Sequence, residues 1–203
     1  MTDYYDWVVP YGQQLNGKTH EGWLKEYNDW VFGDSYPAQP TGALILQGTV
    51  GSSAANNVSA TINTNDAIVL HVIGANIIGV DYDKNGFKFD TDDRIRKGSD
   101  DSEQEDSVKY VDFRKTSDAE NSTTSLIRGV CQVKMAPVNT FVSPNNPDLS
   151  KWKPPMPSGT QRSAWTSQLL LMKIPETGTY VLRSNAEGER PYAQIINCTI
   201  NVR

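Results

Sequence analysis

The sequence predicts a mainly β protein, an antiparallel β-sandwich or jelly roll with one N-terminal amphipathic helix. Three observations carry this. Eight apolar runs lie between residues 43 and 202, separated by clusters of Gly, Asn, Asp and Pro. Asn, Thr, Ser and Asp fill the segments between them, a composition suited to strands and turns rather than helices. One segment alone has clear helical periodicity. At 203 residues the chain can bury a sizeable core. It divides into an N-terminal arm and helix (1–42) and a β-body (43–203), read together as a single domain.

The helix is expected over "THEGWLKEYNDWVF" (19–32). Trp23, Tyr27 and Trp30 recur at i, i+4 and i+7, with Leu24 and Val31 beside them. Thr19 is placed to cap the N-terminus, Glu21 sits in the first turn, and Gly33 follows the last turn. An aromatic stripe of this kind docks a helix on a sheet more often than it forms a ligand platform. Pro37 and Pro40 then impose an extended segment.

Strands are expected at 43–50, 67–74, 76–83, 107–113, 124–136, 163–174, 178–184 and 192–202. "KIPETGTYVLRS" (173–184) has the form of a local hairpin, two alternating runs broken by Pro-Glu-Thr-Gly. Residues 90–106 hold eight acidic and three basic groups, with Ile95 the lone large apolar residue, and read as a solvated loop. Residues 144–160 contain five prolines and read as a second long loop, with Trp152 and Met156 as anchors.

The net charge of −5 and the lack of a basic stripe argue against nucleic acid as a partner. Apolar runs such as "AIVLHVIGANIIGV" (67–80) are too short and too polar to span a membrane. "MTDYYDWVVPYGQQ" has neither the basic nor the apolar region of a secretory signal. Cys131 and Cys198 lie in strand-like runs and are read first as two buried thiols, though a bond between them is open at this level.

Gly33-Asp34-Ser35 looks like the nucleophile block of GDSL-type esterases. The residues before it have helical rather than strand period, and neither His20 nor His71 ends the Asp-x-x-His pair that would activate the serine. Two histidines and two separated cysteines also make a poor zinc set. Asn57, Asn121 and Asn197 match the glycosylation sequon, as chance allows in an Asn- and Thr-rich chain.

"GVDYDKNGFKFDTDD" (79–93) supports two readings. Asp81, Asp83, Asn85, the Phe87 carbonyl and Asp92 fall at calcium-loop ligand positions, with Gly86 at the sharp turn. The same Asn85-Gly86 is a hairpin turn between strand-like flanks, where an EF-hand needs helices. The hairpin needs fewer assumptions. No cofactor is expected, with calcium as the alternative.

"YGQQLNGKTHEGWLKEYNDWVF" followed by "GALILQGTVG" resembles a group of uncharacterised proteins of environmental bacteria and archaea, with a Trp-rich N-terminal helix, a Gly/Gln strand and a β-rich body. Trp23, Trp30, Gly42, Gln47 and Gly48 match that outline, and Trp165, Pro175, Gly178 and Tyr180 follow its C-terminal order. Members usually carry a secretion signal, which this sequence lacks. The resemblance implies a β-rich architecture and no particular activity.

These features predict a non-enzymatic structural or interaction protein. The expected setting is a virion, as in a phage capsid decoration protein, with other protein subunits as partners. The alternative is a secreted β-sandwich that binds a glycan or another surface ligand, using aromatics such as Trp152 or Tyr192 as stacking platforms.

Overall fold

A computed structural model of the chain describes residues 3–48, 54–79, 88–103, 107–119, 122–147, 157–187 and 193–203. The protein is mainly β, and its described residues form two sheets and two α-helices. The strands are β1 (Ala43–Leu46), β2 (Asn56–Ile62), β3 (Ala67–Ile78), β4 (Ser107–Lys115), β5 (Thr124–Ser125), β6 (Cys131–Val142), β7 (Gly159–Lys173), β8 (Gly178–Glu187) and β9 (Ala193–Val202). One sheet has the order β1-β3-β7-β6, the other β2-β9-β8-β4-β5. Most neighbours are antiparallel, as expected. Two pairs are not: β1 runs parallel to β3, and β2 runs parallel to β9.

The apolar pattern explains the layering. Along β3, Ile68, Leu70 and Val72 face a core shared with the other sheet, while Ala67 and Val69 face a second core under the helix α1 (His20–Phe32). In β7, Leu170 and Met172 face the first core, and Leu169 and Leu171 the second. β1 and the central parts of β3 and β7 are thus buried on both faces and read as near-continuous apolar runs, while β6 at the edge alternates between buried and exposed residues. The register of β3 against β7 shifts between His71 and Ile73, which lets Val72 and Ile73 both enter the inter-sheet core. The five-stranded sheet supplies Val111, Phe113, Tyr180, Leu182, Ile196, Cys198 and Ile200 to that core. A 3-10 turn at Tyr4–Trp7 closes one end, its two buried rings edge-on to Phe113.

Helix α1 starts and stops where its sequence directs. The Thr19 hydroxyl accepts from the Gly22 N–H at 3.2 Å. Gly33 ends it in an extended rather than left-handed conformation, and a Cβ there would meet the Asp29 carbonyl oxygen at 2.6 Å. Trp23, Tyr27 and Trp30 are all buried against the sheet.

Besides the strand expected at 124–136, which is broken into β5, a 3-10 turn at Ile127–Gly129 and β6 from Cys131, three expectations need correction. The segment 90–106 is not simply a solvated loop: Asp92–Glu103 form the second helix, α2. Thr91 caps it by accepting from the Arg94 N–H, and charge pairs Arg94–Asp90, Arg96–Asp93 and Lys97–Asp101 line its outside. Its inner stripe is Ile95, Gly98 and Ser99, two of them too small or polar to register as an apolar face. Ile95 and Ser99 are each 1% exposed, and a Cβ at Gly98 would meet the Phe89 ring at 2.5 Å. Residues 173–184 are not a hairpin: β7 and β8 belong to different sheets. β7 already has β3 and β6 on its two edges, so the chain must leave that sheet after Ile174. Third, 67–74 and 76–83 are not two strands: β3 runs unbroken through 67–78. β2, a strand absent from the sequence expectation, is built on Val58, Ala60 and Ile62 alternating with Asn57, Ser59 and Thr61.

Candidate functional site: a cleft between two sheet edges

β1 and β2 are each the first strand of their sheet, and a cleft of about 580 Å³ lies between them. Its walls are Ala43 and Leu44 of β1, residues 58–62 of β2, and the Pro37–Pro40 segment; Asp66 and Arg203 stand at its rim. That segment is not the fully extended one that the prolines suggested: residues 34–37 form a turn closed by the Ala38 N–H donating to the Ser35 carbonyl, and Gln39 follows it on the cleft wall. The Gln39 amide pairs with β1 as a strand would. Its Oε1 accepts from the Ile45 N–H at 2.6 Å, and its Nε2 donates to the Ile45 carbonyl at 3.0 Å. That closes the outer edge of β1.

β2 is built differently. Arg203 N–H donates to the Ile62 carbonyl, and Thr64 N–H donates to the Arg203 carbonyl. Even-numbered residues therefore turn their backbone groups toward β9. By the alternation of a strand, Asn57, Ser59 and Thr61 turn theirs outward. Among the described residues β2 has β9 as its partner and no other strand beyond. The cleft thus offers a row of backbone donors and acceptors above half-buried Val58 and Ala60. Chemically it can hold an extended chain by main-chain hydrogen bonds and a shallow apolar floor. Sequence reasoning missed β2 because Asn, Ser and Ala are weak strand formers, although its strict two-residue period was there to find.

The polar side chains singled out from the sequence lie elsewhere. His71 is buried at 1% exposure, stacked on Tyr27 at 4.3 Å between ring centres, with its Nε2 3.1 Å from the Ser167 hydroxyl. Burial pushes its pKa down to about 4, partly offset by the Gln194 side chain. His20 is also buried, and its pKa is lowered by the same loss of water. Gln47 accepts from Tyr27 OH at 2.6 Å and donates to Tyr36 OH at 2.8 Å, tying α1 to the end of β1. Gly48 is required by close approach, since a Cβ there would meet Gln194 at 2.7 Å. Trp165 Nε1 donates to Asn28, whose amide donates on to Thr140. Gln47, Trp165, Asn28 and Thr140 are satisfied packing groups beneath α1, whereas both ring nitrogens of His20 are buried without a hydrogen bond among the described residues.

Both thiols are free and sit in different sheets. Burial raises Cys131 to about 11 and Cys198 to about 12, so neither carries much thiolate near neutrality. Of the calcium-loop residues, Asp81, Asp83, Asn85 and Phe87 lie outside the described residues, as do Trp152, Met156 and Tyr192. Asp92 opens α2, and its two carboxylate oxygens accept from Arg162 of β7 at 2.8 and 2.5 Å. Arg162 is the main cause of its lowered pKa. Among the described residues no three His, Cys, Asp or Glu side chains cluster as a metal site, and no helix is long and apolar enough to cross a membrane.

Comparison with protein-family models finds no match, and comparison with curated proteins likewise finds none.

Proposed function

We propose that the chain is a non-enzymatic structural or interaction protein, a two-layer β-sandwich that works by surface contact inside a larger assembly. The core shared by both sheets supports the sandwich, although the parallel β1–β3 and β2–β9 pairs depart from an all-antiparallel jelly roll. The observation that carries the functional reading is the β1–β2 cleft. Its working surface is strand backbone flanked by small polar side chains, the surface that strand addition uses. A virion is the setting proposed, with the protein as a decoration or other structural subunit on a capsid. The compact Asn- and Thr-rich β-body suits that role.

The test is mass spectrometry of purified particles from the source. The protein should appear in fixed ratio to the major subunits and should resist high-salt washing. Its absence from washed particles would count against the virion setting. Turnover in a broad hydrolase screen that survives removal of contaminants would count against the non-enzymatic reading.

A further inference from the structure

The sequence holds two histidines, and the fold buries both in one layer. His20 is the first residue of α1, with the Tyr11 ring of the N-terminal arm 5.3 Å from its own. His71 lies on β3 beneath the same helix, stacked on Tyr27 and edge-on to Trp165. Both ring nitrogens of His20 and the Nδ1 of His71 are buried without a hydrogen bond among the described residues. The Val9 backbone and the Gln194 side chain lie beside the two rings but fall short of one. A neutral imidazole can sit there. An imidazolium has two N–H donors and a charge to satisfy, and finds no water.

The groups facing the two rings do little to compensate. Around His71 stand Tyr27 of α1, held protonated by burial, Trp165 and Ser167 of β7, and Gln194 of β9, all neutral. Beside His20, the thiol of Cys131 on β6 is held neutral by burial, and the hydroxyl of Tyr11 donates to Glu21 at 2.6 Å. Glu21 is the one carboxylate acting on His20, and burial outweighs it.

We infer that residues 10–32, the end of the arm together with α1, form an acid-released cover: protonation of His20 and His71 lifts this layer off the four-stranded sheet while the two sheets stay packed together. The packing draws the boundary. Tyr4, Trp7 and Val8 of the arm belong to the inter-sheet core, and the Val9 N–H donates to the Leu171 carbonyl of β7. Leu15 belongs to the core under α1, so the arm changes sides at Pro10. Opening there wets both rings and exposes one core. Parting the two sheets would expose the other core and reach neither ring. The bonds that hold the cover shut run from Asn28 to Trp165 and Thr140 and from Tyr27 to Gln47, between groups that keep one charge state from neutrality down to pH 4. Above pH 6.5 both imidazoles are neutral in the closed and the open form. Below it the open form takes up protons that the closed form refuses, so opening grows as pH falls.

The experiment follows hydrogen exchange of the α1, β8 and β9 amides from pH 7.5 to 5, corrected for the intrinsic rate at each pH. The α1 amides should be less protected than those of β8 and β9 throughout. Their protection should fall by about tenfold for each pH unit below 6 through His71, and further through His20. His20→Phe removes a ring that makes no hydrogen bond, so it should fold and show a shallower fall. His20→Phe combined with His71→Gln should make α1 protection flat with pH. If the double variant does not fold, the slope of His20→Phe against the parent decides. Protection of α1 equal to that of β8 and β9 at pH 5 would show a single unfolding unit and overturn the inference. So would α1 protection that ignores pH in the parent, a His20→Phe slope equal to the parent's, or a folded double variant that keeps the parent's slope.

Discussion

At the scale of single residues, the buried imidazole of His71 has the clearest measurable consequence. It is stacked on Tyr27, edge-on to Trp165 and bonded through Nε2 to Ser167, and Tyr27 itself is held protonated by burial. Its folded pKa of about 4 lies below the ordinary value of 6.5. Between those values the unfolded chain binds a proton that the folded chain refuses. Stability contributed by neutral His71 is therefore complete above pH 6.5 and is lost as pH falls toward 4. The size of the loss is about 3 kcal/mol, from ~1.4 kcal/mol per pKa unit. His20 acts in the same direction. The lowered carboxyls of Glu21, Asp92 and Asp100 act at lower pH, while the Asp112 carboxyl, raised by burial, acts in the opposite sense to the histidines, so it is the comparison with His71→Gln that isolates His71. Urea titrations from pH 6.5 to 4.5 should show the midpoint falling in the parent and falling less in His71→Gln. Equal slopes would assign the effect to other groups.

At the scale of elements, α2 shows how a helix can hide in a charged segment. A helix is recognised by its apolar stripe, and here the stripe is one isoleucine, one glycine and one serine. The start signal was legible: Thr91 followed by two aspartates is a capped, dipole-matched first turn. The docking was not, because it depends on Thr166, Lys134 and Arg162 from distant strands. Asp100 accepts from Thr166 at 2.7 Å and pairs with Lys134 at 3.0 Å, while Asp92 holds Arg162. Exposed pairs of this kind contribute little each, so Ile95 carries most of the docking. Ile95→Ala should cost ~2–5 kcal/mol locally. Amides in 92–103 should lose hydrogen-exchange protection while those of β8 and β9 keep theirs. Uniform loss across the chain would show that α2 is part of the global folding unit instead.

At the scale of the whole molecule, two cores meet at one sheet, and the two thiols report on different parts of it. Cys198 is 1% exposed within the inter-sheet core, while Cys131 is half-buried near the base of α1. Labelling with a thiol reagent at pH 8 should therefore be biphasic. The slow phase should follow urea as global unfolding does, and it should be the phase that remains in Cys131→Ser. A single fast phase would mean that the sheets separate well below the global transition.

The sequence by itself determined whatever depends on near neighbours in the chain. The amphipathic stripe of Trp23, Tyr27 and Trp30 needs only helical geometry, and Thr19 and Gly33 bound it. The long apolar runs of β1, β3 and β7 were visible because a sheet covered on both faces needs apolar side chains at every position. What the tertiary structure alone decided is partition and cover. Nothing local tells β8 to leave the sheet of β7; that follows from β3 and β6 having taken both edges. Nothing in Gln39 announces that its amide will close the edge of β1, or in "NNVSATI" that β2 will stand at the end of its sheet with β9 as its one strand partner among the described residues. Hydrogen bonds between strands join residues far apart in sequence, so which edges are filled and which remain free is settled only when the whole chain has folded.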